Sequence, residues 1–281
     1  MAAMVRGEAP RAIEFTTIEK LFEEMHCTVG DVLHVRGVSA QQFAEIDVAR
    51  GEQSSPRFHR FDASSQTLTV TIPTPLHECL HEPLLGAINQ GISYMGLFNA
   101  WHPMGSPMLR ATQSLNDDDA GVAGESDSSG GPNPERCGDS WPTLVMEAGH
   151  LQTLSGLRKK MRWLFKASNH QVKIVVLAKV EHEEGIGKIT IEKYIEVPVR
   201  ILMGAIATRT AARLQPICNQ IIEITQGPSN FSSYIARTAL RLEFKLLFLR
   251  SPRRREGDVM IRIPQLQEYA GDIWSTLERS Q

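Results

Sequence analysis

Alternating apolar and polar positions predict several β-strands in the middle of the chain. Residues 67–73 read TLTVTIP, in which aliphatic residues alternate with threonines, and this period of two indicates a strand covered on one face. Residues 172–180 read VKIVVLAKV, a largely β-branched run that is typical of a strand buried on both faces. Residues 188–194 (KITIEKY) alternate again, and we expect them to pair beside 172–180 after a turn at 185–187.

Apolar residues at helical spacing predict the helices between these strands. Two threonines precede IEKLFEEMH, which predicts a capped amphipathic helix, and a second helix is expected to start at Ser39. Pro75 is placed to open a longer helix that continues to about residue 97. Residues 143–146 form a short apolar strand, and 151–165 are predicted to be helical. The resulting order of strands and helices predicts an α/β fold with a mixed central sheet flanked by helices.

The same pattern predicts three parts of the chain. Residues 1–56 form an N-terminal helical extension, 57–197 form the core, and 198–281 form a C-terminal extension packed on the core. Within the last part we expect strands at 240–249 and 259–263, followed by a helix from Pro264 through Trp274.

One segment of the core differs in composition from the rest. Residues 111–140 are rich in Gly, Ser, Asp and Pro and hold almost no large apolar side chains, which predicts a partly mobile loop.

Composition and charge narrow the classes of protein that the chain resembles. Hydrophobic residues make up 42% of the 281 positions and charged residues 22%, which is enough apolar material for a core. The net charge of −2 argues against a protein that coats nucleic acid non-specifically, so any such contact requires a local basic patch. Four isolated cysteines indicate reduced thiols in an intracellular protein, in cytoplasm or nucleus, and no apolar run approaches the roughly 20 residues that span a bilayer.

The candidate catalytic residues are carboxylates at the ends of predicted strands and in the neighbouring segments. Glu147 directly follows an apolar strand, and a carboxylate there is costly to bury without a cation or a hydrogen-bond donor. A second carboxylate in the preceding loop and a third on the preceding helix could converge with it on one Mg²⁺ or Mn²⁺. Such an ion activates water for phosphodiester cleavage and neutralises phosphate charge.

A family resemblance gives these carboxylates definite positions. The segments RFHRFDASSQTLTVTIPTPLHE, GESDSSGGPNPE, SWPTLVMEAG, GLRKKMRWLF, QVKIVVLAKV and ITIEKY resemble, in order, the blocks of a family of fungal proteins in the PD-(D/E)XK restriction-endonuclease-like superfamily. The resemblance covers roughly residues 58–195 and implies an α-β-β-β-α-β core. It implies that Glu78, Asp127 and Glu147 are the acidic positions that hold the metal.

The chain departs from that family at the basic position. Gly149 stands where the Lys of (D/E)-x-K is expected, and superfamily members of this kind supply the cation from the next helix, where Arg158 or Lys159 could substitute. The basic run of that helix, Arg158, Lys159, Lys160 and Arg162, could contact a nucleic-acid backbone. The alternative is that this run is the solvated face of an amphipathic helix.

The other candidate residues each also have a purely structural interpretation. Glu78 near a helix start also favours the positive end of the helix dipole, and Asp127 could be a solvated loop residue. His77 and His81 have the spacing of a zinc pair on a helix, but no third ligand accompanies them in sequence. The Asp run at 117–119 lacks the alternation of a calcium loop.

Two hypotheses about function follow from the sequence. The first is a divalent-metal-dependent phosphodiesterase that acts on DNA or RNA, with Asp127 and Glu147 on the metal, Glu78 assisting, and Arg158 or Lys159 stabilising charge. The second is a catalytically inactive descendant that retains the fold as a binding module for protein or nucleic acid. Gly149 favours the second hypothesis.

Overall fold

The computed structural model describes residues 11–51, 56–111, 122–138, 140–183, 186–199, 213–226 and 234–279. They contain six α-helices: α1 (Ile18–Cys27), α2 (Ala40–Arg50), α3 (Pro75–Tyr94), α4 (Leu154–Ala167), α5 (Phe244–Phe248) and α6 (Ile263–Arg279). They also contain fifteen strands: β1 (Arg11–Glu14), β2 (Val32–Arg36), β3 (Arg57–Asp62), β4 (Thr67–Thr71), β5 (Trp101–Pro103), β6 (Met108–Arg110), β7 (Ala123–Glu125), β8 (Ser128–Pro132), β9 (Leu144–Gly149), β10 (Ile174–Glu183), β11 (Ile186–Val199), β12 (Arg213–Gln226), β13 (Tyr234–Ala236), β14 (Leu240–Leu242) and β15 (Val259–Ile261).

The strands form one large mixed sheet, a second sheet and a short ribbon. The seven-stranded sheet has the order β13-β12-β11-β10-β9-β8-β5, in which β9 and β10 are parallel and the other neighbours are antiparallel. The six-stranded sheet has the order β1-β2-β4-β3-β7-β6, and β14 pairs with β15. The predicted α/β class with a mixed sheet flanked by helices is therefore confirmed.

Helices cover both faces of the seven-stranded sheet. Alternate residues of β9 separate the two sides: Leu144 and Met146 pack with α3 and α6, whereas Val145 packs with Trp163 and Leu164 of α4. Strand β10 is buried on both faces, as its β-branched sequence predicts. Because Glu147 follows Val145 by two positions, it lies on the face that α4 covers.

Strand β2, within residues 1–56, lies between β1 and β4 in the six-stranded sheet, so the N-terminal part shares a sheet with residues of the predicted core. A third apolar cluster packs α1 and α2 against this sheet. The domain boundaries at 56 and 197 stay predictions. No helix in the described part of the chain has the length and apolar character needed to cross a membrane.

The prediction of a loop over residues 111–140 is wrong at 123–125 and 128–132, which form strands β7 and β8. These strands are buried, and their small residues reflect close packing rather than solvent exposure. A Cβ on Gly130 would stand 2.5 Å from the Trp101 ring, and a Cβ on Gly124 would stand 2.4 Å from the His59 carbonyl oxygen. Residues 112–121, with the Asp run at 117–119, lie outside the described residues.

The strand predicted at 240–249 is also wrong beyond its first three residues. Strand β14 ends at Leu242 and helix α5 follows it, with Phe244, Leu247 and Phe248 buried. Those three apolar positions are spaced i, i+3 and i+4, so they fit a helical turn as well as they fit a strand.

Candidate active site

Asp127 lies immediately before β8 and is held by groups from three directions. Its Oδ2 accepts a hydrogen bond from the Ala148 amide at 2.7 Å, and its Oδ1 lies 3.2 Å from His77 Nε2 and 3.8 Å from Arg57 Nη1. Burial opposes ionisation of the carboxyl group, but the nearby charge of His77 outweighs it and holds the pKa of Asp127 well below 3.8. Asp127 is therefore a buried, ionised carboxylate and not a solvated loop residue.

Glu147 lies on β9 next to Asp127. The antiparallel register pairs Ser128 with Met146, and continuing it by one residue places Asp127 opposite Glu147. The Glu147 side chain is fully buried. Its Oε2 lies 2.8 Å from Lys160 Nζ, yet neither carboxylate oxygen accepts a hydrogen bond of good geometry.

Burial dominates the ionisation of Glu147. Burial raises the pKa of the carboxyl group, Lys160 opposes this shift, and the charge of Asp127 adds to it, so that the resulting pKa is about 8. Two carboxylates in one buried centre cannot easily both carry charge, and here Asp127 is the one that remains ionised.

Lys160 supplies the cation of this centre. Its side chain is only 1% exposed, and its Nζ lies 3.0 Å from His59 Nδ1 and donates a hydrogen bond to the Glu125 carbonyl oxygen. The interpretation of Lys160 as part of the solvated face of the helix is therefore wrong, while its contact with nucleic acid stays a prediction. Because Leu157, Lys160 and Leu164 are spaced three and four apart, Lys160 faces inward with the apolar stripe of α4.

The other basic residues of α4 lie elsewhere. Arg158 makes a bidentate ion pair with Glu192 on β11, where Tyr194 also donates a hydrogen bond to Glu192. Arg158 therefore does not reach Glu147, and Lys160 takes the position for which Arg158 or Lys159 was predicted. Lys159 and Arg162 are both exposed on the surface of the helix.

Glu78 lies in the first turn of helix α3 and pairs with Arg57. Both of its oxygens accept hydrogen bonds from Arg57, at 2.9 and 3.0 Å, and Oε2 lies 3.4 Å from His81 Nε2. Burial raises its pKa, but His81 and Arg57 outweigh burial and hold the pKa of Glu78 at about 2. His77, Glu78 and His81 offer ligand atoms within 4.8 Å of one another, so this cluster could hold a metal ion.

His77 bridges two buried carboxylates. Its Nε2 faces Asp127, and its Nδ1 lies 3.6 Å from an oxygen of Asp31, which also accepts the amides of His150 and Leu151. Burial disfavours the imidazolium form, but Asp127 and Asp31 outweigh it and raise the pKa of His77 to about 10. The ring is thus a cation at neutral pH.

The proton on His77 makes stability depend on pH. Its pKa rises from 6.5 to about 10 on folding, so its contribution is complete below pH 6.5 and is lost as the pH rises towards 10. Glu147, whose pKa rises from 4.5 to about 8, acts in the same direction between those values. We therefore expect the free energy of unfolding to fall between pH 6.5 and 9.5, and a His77→Gln variant to show a flatter profile.

Urea unfolding in EDTA at pH 6.5, 8 and 9.5 measures this dependence. The exposed His102, changed to Gln, is the matched control and is expected to keep the wild-type slope. An identical slope in His77→Gln and wild type would contradict the charged, bridging role of His77.

A cavity of about 320 Å³ opens beside the acidic centre. Its wall includes His59 and Lys160, whose Nδ1 and Nζ atoms lie 3.6 and 2.8 Å from Glu147 Oε2. Burial and the charge of Lys160 hold the pKa of His59 well below 6.5, so that its ring is neutral, and its Nε2 lies 2.7 Å from Gln152 Nε2. The side chains of His59 and Lys160 therefore separate the cavity from the Glu147 carboxylate.

Sequence reasoning missed the residues that reach the site from distant parts of the chain: Asp31, Arg57, His59 and Gln152. Asp31 stands 119 positions from His150, and nothing in the local pattern indicates that contact. No protein-family model matches the chain, and no curated protein matches it either.

Proposed function

We propose that the chain is a divalent-metal-dependent phosphodiesterase of the restriction-endonuclease-like fold that acts on nucleic acid. The observation that carries the proposal is the meeting of Asp127, Glu147 and Lys160 in one buried centre. They come from the start of β8, from β9 and from α4, and they supply two carboxylates and one cation.

The order of elements around the centre supports this proposal. Helix α3 is followed in the seven-stranded sheet by β5, β8 and β9, which pair as antiparallel neighbours. Helix α4 then leads to β10, which is parallel to β9. This is the α-β-β-β-α-β order that the resemblance implies, while β6 and β7 join the other sheet.

The donor set fits Mg²⁺ or Mn²⁺. Both ions prefer oxygen ligands, and Asp127 and Glu147 present carboxylate oxygens. The two Glu147 oxygens are buried without a hydrogen bond, which is a cost that a bound cation removes. Glu78 does not contribute a free carboxylate because Arg57 occupies both of its oxygens, so its predicted assistance to the metal requires Arg57 to move.

The surrounding residues prepare the centre for phosphodiester hydrolysis. A divalent ion held by Asp127 and Glu147 supplies Lewis-acid polarisation of the phosphate and an activated water. The Ala148 amide fixes the Asp127 side chain, and His77 balances its charge. Lys160 Nζ lies where it stabilises negative charge that develops beside Glu147.

A specific observation favours the second candidate, an inactive nuclease-fold binding module. Each acidic residue already faces a cation of the chain itself: Asp127 faces His77, Glu78 faces Arg57, and Glu147 faces Lys160. A centre neutralised in this way is stable without a metal ion. The cleavage assay decides between the two candidates.

The test is cleavage of end-labelled single-stranded DNA and RNA with Mn²⁺, with Mg²⁺ and with EDTA. We expect cleavage with either ion, none in EDTA, and none in a Glu147→Ala variant. Folding of that variant is confirmed by circular dichroism. Absence of cleavage by the folded wild-type protein under every condition would contradict the proposed function and leave the binding module.

A further inference from the structure

The cavity beside the acidic centre lies between the six-stranded sheet and the amino-terminal half of helix α4. Its walls are His34 of β2, Thr67 and Thr69 of β4, and the first turn of α4 with its preceding residues. Strand β2 lies in the N-terminal part, where the sequence shows no recognisable chemistry. This part of the chain therefore contributes directly to the surroundings of the site.

The lining carries an excess of positive charge. Arg60, Lys159 and Lys160 face one carboxylate, that of Asp62. Arg60 pairs with Asp62 at 3.0 Å and Lys160 pairs with Glu147, so both of these cations have a carboxylate partner. Within the described part of the chain, Lys159 makes no ion pair and no hydrogen bond, so its charge is free to meet an anion.

The amino end of α4 adds to this positive field. Thr153 caps the helix by accepting the Gly156 amide at 3.1 Å, and both residues line the cavity. The helix has 14 residues, and the positive end of its dipole favours a phosphate group. Together with Lys159, it directs the cavity towards an anionic ligand.

The remaining lining is polar and limits the size of that ligand. Hydroxyl and amide groups of Ser65, Thr67, Thr69 and Gln152 offer hydrogen bonds for sugar oxygens and base edges. A volume of about 320 Å³ is at the small end of ligand-binding cavities and cannot admit a double helix.

We propose that this cavity binds one nucleotide at the end of a single strand, with its phosphate against Lys159 and the start of α4. The inference rests on the proposed function, and it narrows the substrate class to single-stranded ends. The bound nucleotide lies next to Lys160 and His59, which separate the cavity from Glu147.

Binding measured in EDTA tests the inference without requiring catalysis. We would titrate deoxyadenosine 5′-monophosphate, deoxyadenosine and inorganic phosphate into wild-type protein and into Lys159→Glu and Lys245→Glu variants. Both substituted lysines are exposed, Lys159 on α4 and Lys245 on α5, and both substitutions change the charge equally, but only Lys159 lines the cavity.

We expect saturable one-site binding of the nucleotide, weaker binding of phosphate, and none of the nucleoside. Lys159→Glu should weaken nucleotide binding at least about tenfold, and Lys245→Glu should change it less than about twofold. Failure of wild-type protein to bind the nucleotide, or equal losses in both variants, would overturn the inference.

A comparison of linear and circular single-stranded substrates separates this inference from the proposed function. With Mn²⁺, a linear single strand should be degraded and a covalently closed circular single strand should not. Cleavage of the circle would leave the phosphodiesterase intact and refute end recognition. Nucleotide binding at Lys159 without any cleavage would support the cavity assignment and refute the phosphodiesterase.

Discussion

Replacing Lys160 by methionine is expected to lower the free energy of unfolding by about 3–5 kcal/mol at pH 9, where Glu147, whose pKa is raised to about 8, is ionised. The change preserves much of the side-chain volume but leaves Glu147 buried without its cation, and a buried charge that loses its partner is strongly destabilising. The loss should shrink at pH 5, where Glu147, whose pKa is raised to about 8, binds a proton instead. Urea unfolding at pH 5 and pH 9 measures both values.

Lys159→Met is the matched control for this prediction. Lys159 is adjacent in sequence but exposed, so its replacement should change stability by less than about 0.5 kcal/mol. Equal small losses in the two variants would show that Lys160 does not pair with a buried carboxylate.

Asp127→Asn is expected to reduce metal-dependent cleavage at least about 100-fold. Asparagine still accepts the Ala148 amide, but it removes the negative charge that the proposal assigns to the metal and that balances His77. Initial rates with Mn²⁺, measured alongside urea unfolding, separate loss of chemistry from loss of folded protein.

The exposed Asp272 on α6, changed to Asn, is the control for the Asp127 variant and should retain wild-type activity. Cleavage by Asp127→Asn within about threefold of the wild-type rate would exclude Asp127 as a metal ligand.

The sequence predicts most of the strands and helices because their apolar periodicity is strong. Strand β10 has a largely β-branched sequence that indicates a strand buried on both faces, and α4 begins after a threonine cap. The short elements are harder because their patterns fit two structures, as α5 shows. The sequence of β7 and β8 predicts a loop because it is rich in glycine and serine. In the structure these small residues allow the close approach of Trp101 and of the β3 backbone, which no local pattern reveals.

The candidate site could be predicted only in part. The resemblance named Glu78, Asp127 and Glu147, and the structure brings them to one region. The structure brings Lys160 to Glu147 in place of the predicted Arg158 or Lys159, and the position of Lys160 in the apolar stripe was a signal present in the sequence.

The partners of the site lie beyond what local sequence reasoning can supply. His77 owes its charge to Asp31, and Lys160 contacts His59 across 101 positions of chain. Such contacts depend on how the two sheets and α4 pack, which local spacing does not encode.

Calorimetric titration of Mn²⁺ into the protein tests the central claim that Asp127 and Glu147 hold a metal ion. The account predicts saturable one-site binding in wild type, lost in Glu147→Gln and retained in the control Glu268→Gln on α6. Affinity should be higher at pH 8.5 than at pH 6.5, because the ion must displace the proton that a pKa of about 8 leaves on Glu147. Absence of binding at pH 8.5, or binding that is unchanged in Glu147→Gln, would contradict the claim. Unchanged binding in that variant would indicate a metal site at His77, Glu78 and His81 instead.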